Sequence, residues 1–190
     1  MAELRDDRDA LLAGFPLVDD HPDVAGVLRR PDLLARLGPA LAAPFVGAGV
    51  TAVCAPEARG PILGALVAVE LGAGLVLVRK DDRNHPGADR RVESAPTWRG
   101  TTEWFQTRSW DLAPDDRVLV VDDWITTGSS MRAVRGLVGQ AGANYLGGSV
   151  LVHKASDATV AELNVAWLVR FDELVGPHPD PGAPPGGGRS

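Results

Sequence analysis

VLVVDDWITTGSS, residues 118–130, reads as an apolar strand running into two carboxylates, then a Thr/Gly/Ser turn, then a helix. In open α/β sheets ligands bind at the carboxyl ends of strands, and Asp122 and Asp123 stand at such an end. The turn Thr126-Thr127-Gly128-Ser129-Ser130 offers consecutive backbone N–H groups and four hydroxyls at a helix N-terminus, the parts of a phosphate cradle. It holds no lysine, so it is not a Walker A loop. Two carboxylates would repel a phosphate placed beside them. The acidic pair must therefore face something else, and neighbouring sugar hydroxyls or a magnesium ion would suit it. The plainer alternative is that the pair ends a strand and Thr127 or Ser129 caps a helix.

Outward from this stretch, short apolar runs alternate with helical patterns. Residues 50–54, 75–78, 118–121, 145–152 and 165–169 read as strands, and 62–71 and 131–138 as helices closed by Gly72 and by Gly139 and Gly142. Buried strands alternating with helices predict an α/β fold, an open and mostly parallel sheet flanked by helices on both faces. Upstream, residues 2–15 suit a short amphipathic helix, and Leu33, Leu34, Leu37 and Leu41 mark a second one. Between them Pro16, Pro22, Gly26 and Pro31 predict an irregular hood, about 15–31. The polar stretch 80–107 reads as a mobile functional loop, about 81–107, or a small hairpin. From Gly176 the run GPHPDPGAPPGGGRS cannot build a core and is expected to be disordered. The expected organisation is one domain over 1–175 with a tail over 176–190.

Composition narrows the function. A formal charge of −6 over 190 residues argues against a nucleic-acid coat. No apolar run reaches the roughly 18 residues of a membrane span, and the charged opening MAELRDDRDA predicts no secretory signal. A single cysteine, Cys54, excludes an internal disulfide, and no Cys/His cluster has zinc spacing. A soluble, cytoplasmic protein is expected. Seven of the 19 basic residues lie within 79–108, a candidate anion-handling stretch. A further candidate is Ala55-Pro56-Glu57-Ala58-Arg59-Gly60, between a strand and a helix. Arg59 falls in a first helical turn, where the dipole disfavours a cation, and a bound anion would remove the conflict. The alternative is a solvent-facing Arg59 with Glu57 as local partner.

The 118–130 stretch resembles the PRPP-binding motif of type I phosphoribosyltransferases. CAPEARGPILGALVAVELG, residues 54–72, resembles the pyrophosphate-loop region of the adenine enzymes of that family, and Val78-Arg79-Lys80 stands where they carry an Arg-Lys pair. HPDVAGVLRRPDLLARLGPAL, residues 21–41, resembles their base-covering hood and its helix. The matches keep family order and cover about residues 20–152. The resemblance implies a magnesium-dependent transferase that joins a nitrogenous base, an adenine-like purine by default, to PRPP and releases pyrophosphate. It implies an oxocarbenium-like transition state and inversion at the sugar carbon. It assigns Asp122 and Asp123 to the ribose hydroxyls and Thr126 to Ser130 to the 5-phosphate. Glu57, Ala58 and Arg59 become the pyrophosphate loop, with Arg79 and Lys80 facing the same group. Magnesium would arrive on PRPP, with the acidic pair touching it only through water. A homodimer is the family expectation.

Departures from the family pattern are local. DDRNHPGADRR, residues 81–91, replaces a lysine-rich stretch, and the loop's catalytic Glu has no counterpart. Trp98 or Arg99 stands there beside Gly100, with Glu93 and Glu103 out of register. TTGSS replaces Ala-Thr-Gly-Gly-Thr, and Trp124 replaces an aliphatic residue, either to stack on a base or to pack in the core. Trp98, Trp104 and Phe105 suggest a lid or a partner-binding patch, and the hood's base contacts are expected from the backbone of 25–29. These departures keep a second hypothesis open, a non-catalytic PRPP- or nucleotide-binding regulatory protein on the same fold. His85 and His153 read as solvated or packed, Cys54 as a buried small hydrophobe, and Asp157 and Glu162 as ordinary helix surface.

Overall fold

The computed structural model describes residues 2–80, 85–97 and 99–176. The expected tail from residue 177 onward lies outside the described residues, as do 81–84 and Trp98. Helix α1 (Ala2–Gly14) leads into a hood that is more regular than its prolines predict. Strands β1 (Leu17–Val18) and β2 (His21–Pro22) pair antiparallel, and α2 (Val24–Arg29) follows. The turn between the strands places Asp19 and Asp20 at φ 49° and 57°. Two left-handed residues in succession give the twist a tight hairpin needs, and Asp tolerates that region better than most side chains. Helix α3 (Pro31–Ala42) starts on a proline, whose missing N–H costs nothing at a first helical position.

The α/β part runs β3 (Ala52–Pro56), α4 (Gly60–Leu71), β4 (Gly74–Lys80), β5 (Arg90–Glu93), β6 (Trp104–Thr107), β7 (Arg117–Ile125), α5 (Ser129–Gln140), β8 (Asn144–His153), α6 (Asp157–Leu163), β9 (Val165–Arg170) and α7 (Phe171–Val175). The seven strands lie in the order β5-β6-β4-β3-β7-β8-β9. All pairings from β4 through β9 are parallel, and β5 and β6 add antiparallel to the β4 edge. The expected α/β class and mostly parallel sheet are therefore observed.

Strand β7 shows why its sequence is apolar without alternation. Leu119 and Val121 join a core with Leu37, Leu41, Leu63 and Val67 of α3 and α4, while Val118 and Val120 join one with Val134 and Leu137 of α5. A central strand covered on both faces has no solvent side to make polar. The strand does not stop before the acidic pair as expected. It continues to Ile125, paired with His153 of β8.

The polar stretch after β4 contains the hairpin β5–β6, with Val92 opposite Phe105 and Phe105 also paired to Lys80. Phe105 is fully buried. It belongs to the core and forms no lid, because joining the sheet edge turns its ring inward. Trp104 points the other way, exposed, with the Arg91 guanidinium 5.0 Å from its ring centre. Among the described residues, no helix is long and apolar enough to cross a membrane.

Candidate active site

The strand order places the carboxyl ends of β4, β3 and β7 side by side, and every candidate segment leaves from one of them. Glu57 to Arg59 follow β3, Arg79 and Lys80 end β4, and Asp122 to Ser130 span the end of β7 and the start of α5. Residues up to 73 positions apart in the chain thus share one rim.

The charges on that rim are cross-paired. Arg59, at the N-cap of α4, forms an ion pair with Asp123, not with its neighbour Glu57. Glu57 instead reaches across to Arg79, Nε to Oε1 at 2.5 Å, and its Oε2 accepts from the Lys80 N–H at 3.2 Å. Lys80 Nζ pairs with Glu103 of the hairpin at 2.8 Å. Glu103 fell out of register in the sequence because counting along a chain cannot show that a hairpin folds back onto β4. The Glu57–Ala58 peptide is cis.

Asp123 is nearly buried, and its N–H donates to Asp122 Oδ1 at 2.8 Å. Burial, and then the neighbouring Asp123 charge, push the Asp122 carboxyl well above the usual carboxylate range. The close packing depends on Gly60, because a Cβ there would lie 3.2 Å from both Asp122 Oδ1 and the Val121 carbonyl. A larger residue would push the head of α4 off the acidic pair.

Beyond the pair, Asp122, Trp124, Ile125 and residues 126–131 line a cradle of about 40 Å³. Its N-cap is Gly128, which has no side chain to occupy the helix amides. Thr127 Oγ1 donates to Ser129 Oγ at 3.0 Å and accepts from the Ser129 N–H at 3.3 Å. Thr127 therefore shapes the turn, and the expected hydroxyls surround a small polar hollow.

A larger cavity, about 390 Å³, lies between hood and sheet, lined by Val18, His21, Pro22, Asp23, Val24, Arg59 and Trp124. The hood residues facing it are thus 18 and 21–24, upstream of the expected 25–29. Trp124 both packs and lines the cavity. Its ring lies parallel to His21, 4° apart with centres at 5.6 Å, and tilts against Phe171 at 5.9 Å. Sequence reasoning passed over His21; its only signal was an aromatic-sized polar side chain within the hood. The other candidates are structural. His153 is buried, its Nδ1 accepts from the Ala155 N–H, and burial lowers its pKa. His85 sits 3.9 Å from Asp111, and burial pushes the Cys54 thiol up. Glu162 is not ordinary helix surface. It gathers two arginines from α5.

Comparison with known proteins identifies the family. The model of the phosphoribosyl transferase domain matches residues 43–170. The adenine phosphoribosyltransferase of Streptomyces clavuligerus is 38% identical over 152 residues, covering 76% of this chain and 84% of its own. That of Methylobacterium nodulans is 33% identical over 175 residues, covering 86% and 95%. The crystal structure of adenine phosphoribosyltransferase from Rhodothermus marinus superposes with a TM-score of 0.75 at 27% identity, covering 87% of this chain and 99% of that one. Because the matched region contains every strand end on the charged rim, the chain belongs to the phosphoribosyl transferase domain family.

Proposed function

We propose that this protein transfers the 5-phosphoribosyl group of PRPP to adenine, releasing pyrophosphate. The observation that carries the reading is the shared rim: three cations, an acidic pair and a hydroxyl cradle, beside a cavity with an aromatic wall. The names of the relatives favour adenine as acceptor. In this reading Thr126, Thr127, Gly128, Ser129 and Ser130 hold the 5-phosphate, and Asp122 and Asp123 hold the ribose hydroxyls. Glu57, Ala58, Arg59, Arg79 and Lys80 face the pyrophosphate.

Each rim cation already has a carboxylate partner, so the pyrophosphate would enter by exchanging partners with Asp123, Glu57 and Glu103. That exchange keeps the cations oriented beforehand, which is where preorganised electrostatic catalysis has its advantage. Release of Arg59 leaves the Asp123 charge to favour the cationic ribosyl group as the bond to pyrophosphate lengthens. The hood and Trp124 would set the base against the sugar carbon and exclude water, which otherwise hydrolyses the activated sugar.

Magnesium would arrive as part of the substrate, where it would supply positive charge against the leaving pyrophosphate. The donor set fits that role, because Asp123 is held by Arg59 and Asp122 offers no more than one further carboxylate beside it. Asp122 and Asp123 would meet such an ion through water.

The test is pyrophosphate release with Mg·PRPP across a panel of purines, pyrimidines and nicotinate-like acids. Release with adenine is expected. Release with another base alone would overturn the acceptor, PRPP binding without release would favour a regulatory protein, and no PRPP binding would overturn the whole reading.

We also propose a homodimer. Ile62 and Val69 on α4 and Leu75 and Leu77 on β4 are exposed apolar side chains on neighbouring elements. Such a face is unusual for a monomer. Light scattering coupled to gel filtration is expected to give twice the 20.0 kDa chain mass; a monomeric mass would overturn this.

A further inference from the structure

The cradle is a turn of backbone containing a glycine, and peptide units beside glycine flip at little energetic cost. A flip of the Thr127–Gly128 peptide would aim a carbonyl oxygen where an anion is to sit. One side chain opposes it. Arg132, in the first turn of α5, donates from Nη1 to the Thr127 carbonyl at 2.7 Å. Its other nitrogens grip Glu162 of α6, Nη2 to Oε2 at 2.5 Å and Nε to both oxygens at 3.0 and 3.1 Å. Arg135 adds a further bond to Glu162 Oε1 at 2.9 Å. The turn also rests on α6 directly, because a Cβ at Gly128 would lie 2.7 Å from Thr159 and 2.9 Å from Leu163.

We propose that Arg132, oriented by Glu162, is a positioning residue that locks the Thr127–Gly128 peptide and thereby sets affinity for the 5-phosphate end of the substrate. The inference rests on the cradle reading above. In a planar trans peptide the N–H points opposite the C=O, so holding the Thr127 carbonyl toward Arg132 aims the Gly128 N–H away from it. Arg132 and Glu162 are 33% and 42% exposed, a setting in which an ion pair adds little to stability. A guanidinium forked onto a carboxylate does supply fixed direction. The bonds from Arg132, and then from Arg135, hold the Glu162 carboxyl down to about 2, so the clamp stays charged at neutral assay pH.

The test uses the full chain and two probes that report on different parts of the rim: ribose 5-phosphate for the cradle and pyrophosphate for the cations. Calorimetric affinities are compared for the wild type, Arg132→Ala, Glu162→Gln and Ser130→Ala, with thermal midpoints alongside. Arg132→Ala is expected to weaken ribose 5-phosphate about tenfold and leave pyrophosphate unchanged. Glu162→Gln should act in the same direction by about threefold, and it carries the test if Arg132→Ala does not fold. Equal losses for both probes would mean a general structural role and overturn the proposal. If Ser130→Ala weakens ribose 5-phosphate while Arg132→Ala and Glu162→Gln do not, the cradle stands and the lock falls. If none of the three variants changes it, the cradle reading itself falls, and the lock with it.

Discussion

Asp123→Asn is expected to lower kcat with PRPP and adenine by about 10²–10³-fold while the protein stays folded. The substitution keeps the size of a nearly buried side chain and removes its charge. Arg59 loses its carboxylate, and the developing positive charge on the sugar loses a stabilising neighbour. The fold should not suffer. Asp122 holds its proton more tightly in the folded protein than in the unfolded chain, partly because Asp123 is charged. A raised folded pKa means stability that declines as pH climbs through the window above the ordinary carboxylate value. Neutralising Asp123 relieves that term, so the thermal midpoint at neutral pH is expected to hold or rise. The acid limb of any remaining activity should move to lower pH as Asp122 titrates closer to its ordinary value. Steady-state kinetics and a melting curve check both halves; unchanged kcat would sink the role given to the acidic pair.

Gly128→Val is expected to damage the other end of the site. Gly128 has φ +76°, where a β-branched residue is strained, and its Cβ would meet Thr159 and Leu163 inside contact distance. The turn must shift, and a displacement of about 1 Å at a substrate-positioning group costs about a hundredfold in rate. A loss of that size in kcat/KM for PRPP is expected, with ribose 5-phosphate binding lost and pyrophosphate binding retained. Gly139→Ala, in the same helix with open space around it, is the control and should gain about 0.5–1 kcal/mol in stability. Near-normal PRPP kinetics in Gly128→Val would show that the turn does not hold the substrate.

Much of the fold was readable because its signals are local. The run 118–121, with β-branched residues before two aspartates, reads as a covered strand that carries the pair at its carboxyl end. The pattern TTGSS before a helix could only be a polar turn. β5 and β6 were harder. RRVE and WFQT are short, and only their pairing with each other and with β4 decides that Phe105 goes inside and Trp104 outside. The hood misled for a related reason. Its prolines predict irregularity, but two aspartates in left-handed conformation close a small ladder that brings His21 onto Trp124.

Residue type and short-range spacing determined by themselves which atoms are available: the hydroxyls and amides at 126–130, the carboxylates at 122–123, the cations at 59, 79 and 80. They also determined the order of the longer strands and helices, since periodicity and turn chemistry act within a few residues. Only the tertiary structure decided who answers whom. Arg59 turns from the nearby Glu57 to Asp123, Glu57 to Arg79, Lys80 to Glu103, and Arg132 to Glu162, 30 residues away. Coulombic and hydrogen-bond energies depend on distance in space, and sheet order together with helix docking sets that distance for residues remote in the chain.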